Sequence, residues 1–485
     1  MNKLSLWLLL LILPGLSSAQ VNSKKAKKPN IVMFLVDDFG WTDLACFGSD
    51  FYKTPNVDRM AAEGMRFTDA YATCTVCSPT RASLMTGKYP ARLHLTDYIP
   101  GHSKPYARLK IPDWTQYLPL DEYTIAEALH DNGYATAHVG KWHLGSDKKY
   151  WPQNQGFDIN VGGFGAGQPI HKNGGGGYFP PYKNPELPDG PPGEYLTERT
   201  TAEACKFIDQ HKNGDKPFFL NYWLYSVHLP LQAKEDKIQK YQKLVNPKAH
   251  QQNPVYAAMV EHMDDALGSI MAKLKEDGLD DNTIIIFYSD NGGLIGNGYK
   301  FKITSNYPLR SGKGDMYEGG VRVPFIIRWP GKIKPGTVNH APIISVDMYP
   351  TILSLTGSHI TPDKKQSIDG IDISQTVLNN KPLPQRALYW HYPHYHTEGA
   401  SPYSAIRLGD WKLIEIFENQ GLELYNLKDD IGETNNLYNK NPKKANELYA
   451  MLKKWRNDVG AQMPTKNPDY DPARVNQKGK DKSGE

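Results

Sequence analysis

The apolar residues of this chain fall into a few short, unbroken runs. Ile31 to Val36, Ala135 to Val139, Phe218 to Leu224 and Ile284 to Tyr288 are rich in β-forming side chains and too short for helices. An apolar run without alternation is the pattern of a strand covered on both faces. Helical patterns separate the runs: Tyr123 to Asn132, closed by Gly133, then Thr197 to His211 and Tyr256 to Glu276. Strands alternating with helices predict an α/β fold with a largely parallel sheet. Past Leu383 the pattern changes. Ala387 to Tyr392, Ser404 to Arg407, Trp411 to Phe417 and Leu422 to Asn426 predict short antiparallel strands, and Asn441 to Val459 a helix. The organisation expected is a large domain over 29–382, a small subdomain over 383–463 and a polar, frayed tail over 464–485.

Polar residues cluster where the apolar runs stop. The first run ends in Asp37-Asp38 and the second in Gly140-Lys141-Trp142-His143. The third leads to Ser226-Val227-His228 and the fourth to Ser289-Asp290-Asn291. Open α/β sheets bind ligands beyond the carboxyl ends of their strands, so these residues are expected to meet in one site. Two Gly/Pro-rich stretches, 164–193 and 296–310, are too long for plain connections and are expected as loops near that site.

Composition narrows the partners. The 485 residues carry a formal charge of +4, which gives no case for nucleic-acid binding. The 29 tyrosines and 10 tryptophans suit sugar stacking as well as a large core. Residues 1–19 read as a signal peptide, with Lys3, an apolar run from Leu4 to Leu13, and Ser17-Ser18-Ala19 at the cleavage site. That run is too short to span a bilayer comfortably, so export to the periplasm or beyond is expected, without stable membrane insertion.

The chemistry-bearing segments are few. Asp37, Asp38, Asp290 and Asn291 form an all-oxygen set, which suits a hard cation, Ca²⁺ or Mg²⁺, over zinc. Taken pair by pair, they would also serve as turn residues. Cys77-Ser78-Pro79-Thr80-Arg81 predicts a helix start, with Ser78 as cap, Pro79 at the first helical position and Gly87 as stop. Cys77 then sits at an anion-favouring helix end, with Arg81 about one turn in. Cys77 alone would also pass for a core residue, and Cys74 makes a C-x-x-C with it, a redox pair or half a zinc site. Cys46 and Cys205 are isolated, so a four-thiolate site is not supported, and the pairing of Cys46, Cys74 and Cys205 stays open.

Cys-x-Pro-x-Arg followed by Thr86-Gly87 resembles the signature of the type I sulfatases, and the likeness runs from about Pro29 to near Asn436. It implies an alkaline-phosphatase-like fold, a large mixed, mostly parallel sheet between helices, with a smaller C-terminal subdomain of a short antiparallel sheet and one helix. It also implies that a separate formylglycine-generating enzyme oxidises Cys77 to formylglycine, whose hydrate attacks sulfur and forms a covalent sulfate intermediate. By the same resemblance Asp37, Asp38, Asp290, Asn291 and the modified Cys77 hold Ca²⁺, in preference to Mg²⁺. Arg81 holds the hydrate, Lys141 and Lys313 bind sulfate, His143 lies by the formylglycine hydroxyl and His228 by the leaving oxygen. Secreted bacterial carbohydrate sulfatases are similar overall, so a sulfated glycan of galactose type is the expected substrate. His102, Arg108, Trp390, His391, His394 and His396 are candidates for binding it, and a place in a subdomain interface would account for each of them as well. The competing readings are a phosphatase or phosphodiesterase of the alkaline-phosphatase-like superfamily, and a non-catalytic glycan-binding protein.

Overall fold

The computed structural model describes residues 27–296, 299, 301–364 and 366–477. The expected signal peptide, 1–19, lies outside them. An eight-stranded sheet organises the chain, in the order 337–339, 65–67, 325–328, 283–289, 30–36, 218–223, 135–140, 159–161. Asn30–Val36 pairs in parallel with Phe218–Trp223 on one side and Thr283–Ser289 on the other. Phe325–Arg328 runs antiparallel to both of its neighbours, which makes the sheet mixed.

The unbroken apolar runs have a direct structural meaning. Ile31, Met33 and Leu35 point into one core, and Val32, Phe34 and Val36 into another. Helices Leu196–His211 and Pro254–Glu276 cover the second face. Helices Cys77–Thr86, Ile125–Asp131 and Met348–Thr356 cover the first. Truncating one such buried aliphatic side chain to alanine costs about 2–5 kcal/mol, so the two cores fix the register of the strands and hence the positions of their ends.

The four expected C-terminal strands form one antiparallel sheet, Ala387–Tyr392, Tyr403–Leu408, Trp411–Ile416 and Gly421–Asn426. Both faces of it are covered. Trp390 and Tyr392 pack on the large domain, where Trp390 Nε1 donates to the Ala72 carbonyl (2.8 Å) and Tyr392 donates to Asp97 (2.8 Å). Tyr389, on the other face, stacks on Trp455 of helix Pro442–Asp458, with ring centroids 4.7 Å apart.

The start of the tail is not frayed. Thr465–Lys466 pairs with Leu109–Lys110, and the buried Asn467 donates to the carbonyls of Pro105 and Ala107. Its amide satisfies two otherwise open carbonyls, which a composition-based expectation of disorder overlooks. Among the described residues no helix is long and apolar enough to cross a membrane.

Candidate active site

The four strand ends meet as expected. Backbone bonds lock them together: Asp37 N–H donates to Ser226 O (3.0 Å), Val227 N–H to Asp37 O (2.9 Å) and Lys141 N–H to Trp223 O (2.8 Å). Asp38 and His143 both adopt left-handed φ, 57° and 60°. Non-glycine residues rarely do so, and strain of this kind is held where a side chain must be aimed.

The helix carrying Cys77 begins two residues earlier than its capping pattern predicts. Val76 is the cap, Cys77 is the first helical residue, and the Ser78 hydroxyl instead accepts from the Ile99 N–H (3.1 Å). Ser78 is therefore spent on a neighbouring loop rather than on the helix start. Gly87 ends the helix at φ 69°, with its N–H on Ser83 O. The four cysteines are all free thiols, so Cys74 and Cys77 form no disulfide.

Charges fill the space in front of Cys77. Arg81, fully buried, donates from Nε to Asp290 (2.8 Å) and from Nη1 to the Lys141 carbonyl (2.9 Å), with its guanidinium 5.2 Å from the Trp223 ring. Lys141 Nζ donates to Asp37 (2.6 Å) and Lys313 Nζ to Asp38 (2.7 Å). Burial pushes the Asp37 carboxyl well above the carboxylate range, and the nearby Asp290 and Asp38 add to the rise. Burial would do the same to Asp38, but the Lys313 cation, with His228 and Lys141, holds it well below that range.

Two oxygens in this cluster have no donor. Asp37 Oδ1 and Asn291 Oδ1 are buried without a hydrogen bond. The other end of Asn291 is used, its Nδ2 donating to Asp38 (2.9 Å) and Gly292 O (3.0 Å). One ligand atom each from Asp37, Cys77 and Asp290 lie within 4.8 Å of one another. Orphaned buried oxygens are costly unless something satisfies them. Converging carboxylates with a buried amide oxygen are the donor set of a hard divalent cation, so the residues present fit a metal ion.

The histidines are oriented by what they touch. His143 Nε2 faces the Ile99 carbonyl, which can only accept, so that nitrogen carries the proton. Burial, with the Lys141 charge, holds the ring neutral. Nδ1 then presents a lone pair 3.4 Å from Cys77 Sγ. His228 is set the opposite way. Its Nδ1 donates to Leu229 O (2.9 Å), and its Nε2 accepts from Lys313 Nζ (3.3 Å). Burial pushes the Cys77 thiol up as well.

Of the expected sugar contacts, the structure brings only some to this place. His396 packs on Gly314, beside Lys313: a Cβ built on Gly314 would lie 2.0 Å from His396 Nδ1. His102 lies against it, ring centroids 6.2 Å apart. The other four lie elsewhere. Trp390 is a core residue under Tyr71, 5.4 Å between ring centroids. His391 is buried on the helix-covered face, bonded to Ser404 (2.7 Å) and Gln462 O (2.8 Å). His394 is buried against Thr96 (2.8 Å) and Trp114. Arg108 is exposed on the short strand pair with the tail, where its carbonyl accepts from Asn467. Histidine and tryptophan in a period-2 strand do not reveal whether a second layer covers them.

Two contributors escape sequence reasoning. The Ile99 carbonyl fixes the His143 tautomer, and a backbone atom leaves no mark in sequence. Gly167, in the long Gly-rich loop, runs against the same ring: a Cβ there would lie 2.4 Å from His143 Cε1. The glycine content of the loop was the only available signal.

A strand-end cluster of carboxylates, cations and a helix N-terminal cysteine on a large mixed sheet defines a hydrolase of the alkaline-phosphatase-like fold. The sulfatase family pattern matches residues 29–358, and the pattern described as N-sulphoglucosamine sulphohydrolase, C-terminal, matches 312–461. A "Sulfatase" of Formosa agariphila is 33% identical over 89% of this chain and 88% of its own. Human arylsulfatase A is 32% identical over 80% of this chain and 75% of its own. The crystal structure of Ps i-CgsB in complex with k-i-k-neocarrahexaose superposes with a TM-score of 0.74 at 28% identity, covering 91% of this chain and 94% of that one. The chain belongs to the sulfatase family and is a sulfuric ester hydrolase.

Proposed function

We propose that this protein is an exported sulfatase that removes sulfate from a galactose-type glycan, with Cys77 oxidised to formylglycine and Ca²⁺ held at the strand ends. The observation that carries the reading is the setting of Cys77. As a thiol it is buried, kept protonated and a poor nucleophile, yet it faces a neutral histidine lone pair, two lysines and an oxygen set suited to a cation. Formylglycine supplies a hydrated aldehyde as nucleophile, and Ca²⁺ favours its ionised form and draws in sulfate oxygens.

The chain's own groups do the rest. Asp37, Asp38, Asp290 and Asn291 hold the ion, with residue 77 completing the set. Lys141 and Lys313 turn from their carboxylates toward the sulfate oxygens, where preorganised charge counts most. Arg81 anchors Asp290 and the Lys141 loop at once, so residue 77 and the ion site stay in register. His143 takes a proton from residue 77 through Nδ1. His228 Nε2 is released when Lys313 turns to the sulfate; it then takes up a proton and delivers it to the departing sugar oxygen. His102 and His396 stand on the sugar side. Two observations support the galactose type, relatives named N-acetylgalactosamine-6-sulfatase at 31–33% identity and a neighbour solved with a neocarrahexaose, and the signal-like N-terminus supports export.

The test is the mass of the tryptic peptide Phe67 to Arg81 from protein exported by a host that has the maturing enzyme. The expected peptide carries an aldehyde in place of the Cys77 thiol and an unchanged Cys74. An intact Cys77 in protein that still releases sulfate would overturn the mechanism.

A further inference from the structure

Beside Lys313, three rings from two distant segments pack together. Tyr98 and His102 are nearly parallel, 6.3 Å apart, and the His396 ring stands edge-on to both, at 6.0 and 6.2 Å. The segment carrying Tyr98 also supplies the Ile99 carbonyl that orients His143. The imidazole of His396 touches the backbone of Gly314, and Gly314 N–H is pinned on Thr75 O (2.8 Å), two residues before Cys77. The ring cluster therefore has a fixed position relative to both residue 77 and Lys313.

The tautomer of His396 follows from its neighbours. Its Nδ1 accepts from the Glu398 backbone N–H (3.2 Å). A neutral imidazole with Nδ1 so occupied carries its proton on Nε2. Among the described residues no group accepts from that Nε2. His396 as a whole is nearly buried, yet its Nε2 is not among the enclosed atoms, so this N–H opens beside Lys313, where a ligand oxygen can meet it.

We propose that His396 Nε2–H donates a hydrogen bond to an oxygen of the leaving-group sugar, a hydroxyl or the ring oxygen next to the scissile ester. Tyr98 and His102 brace the imidazole from behind. The inference rests on the sulfatase reading and deepens it: His396 distinguishes a sugar sulfate from a flat aryl sulfate, which offers no such oxygen. Sites that bond a substrate hydroxyl reject analogues lacking it, because their own polar group is then left unpaired.

The experiment uses the matured full chain and measures kcat/KM on galactose 6-sulfate, N-acetylgalactosamine 6-sulfate and 4-nitrophenyl sulfate. Two variants separate donor from packing. His396→Phe keeps a ring and removes the donor, and His396→Gln keeps a donor at the ε position. The expected result is that His396→Phe lowers the ratio of sugar to aryl turnover about tenfold or more, while His396→Gln stays nearer wild type. Equal losses on all three esters, or an unchanged ratio in His396→Phe, would mean that the ring serves packing alone and would overturn the proposal. Wild-type protein that cleaves the aryl ester and neither sugar would overturn it too, with the sulfatase reading intact. Release from none of the three would count against that reading instead.

Discussion

Two charge clusters, each of three carboxylates and three cations, sit in this molecule, and they do opposite things. At the strand ends, Asp37, Asp38 and Asp290 face Arg81, Lys141 and Lys313. Where the small sheet meets the large domain, Asp69, Glu318 and Glu433 face Arg322, Arg407 and Lys412. At the joint every cation lies between acceptors on both sides. Lys412 reaches Glu318 and Glu433, both at 2.9 Å, Arg322 reaches Glu318 (2.7 Å) and Asp69 (2.9 Å), and Arg407 reaches Asp69 (2.6 Å) and the Tyr71 hydroxyl. At the strand ends each lysine holds one carboxylate, and Asp37 Oδ1 and Asn291 Oδ1 are left over. Net charge therefore does not distinguish a brace from a reaction centre. What distinguishes them is how the cations are held: each at the joint lies between two acceptors, whereas each strand-end lysine sits on a single carboxylate. Among the described residues it is the first cluster that gathers potential metal-ligand atoms, from Asp37, Cys77 and Asp290, and a divalent cation there would leave surplus positive charge for an anionic ester.

The widest separation between the clusters is expected from removing one carboxylate in each. Glu318→Gln strips Lys412 and Arg322 of a shared partner and should destabilise the fold by about 3–5 kcal/mol, with kcat of the folded fraction near wild type. Asp290→Asn should cut kcat by about 10²–10³-fold with a much smaller loss of stability. Denaturant unfolding and sulfate release, run on both variants, check this. A Glu318→Gln protein as stable as wild type would dissolve the distinction.

Calcium should sharpen it next. At a concentration 100 times its Kd, Ca²⁺ should stabilise the wild type by about 2.7 kcal/mol. Glu318→Gln should keep that increment and Asp37→Asn should lose most of it. Thermal unfolding with and without a chelator reads the difference, and an equal shift in Asp37→Asn would place the ion elsewhere.

The smallest effect concerns pH. Burial, aided by the nearby Glu318 charge, pushes the Glu433 carboxyl up to about 7, from 4.5 when unfolded. The folded state then binds more protons than the unfolded one between those values, so this group makes stability fall as pH rises from 4.5 through 7. Glu433→Gln should flatten that part of the stability profile, and an unchanged slope would show that the carboxylates titrate otherwise.

Much of this was legible in the sequence, for physical reasons. Asp37, Lys141, His228 and Asp290 could be gathered into one site because fully buried strands are plain apolar runs, and a parallel sheet sends their ends to one edge. The strands Met65–Phe67, Ile159–Val161, Phe325–Arg328 and Thr337–Asn339 were not foreseen, being too short for periodicity to register. The small sheet was foreseen strand by strand, but its alternation could not say what lies on each face. Trp390 and His391 point opposite ways and are both buried, one on the large domain and one beneath helix Pro442–Asp458. Ser78 misled for another reason: it has a capping side chain, and a distant loop, at Ile99, claims it.

Gly167 has a consequence for anyone redesigning the enzyme. The loop over 164–193 invites grafting, since loops tolerate exchange of sequence and length. Yet its backbone passes His143 too closely for any side chain at that one point. A transplanted loop must thread the same narrow gap there, or it will swing the imidazole out of aim, and it must also keep the seat of Tyr178, whose hydroxyl donates to the carbonyls of Tyr225 and His228. The loop is thus a part fastened to the site at more than one point.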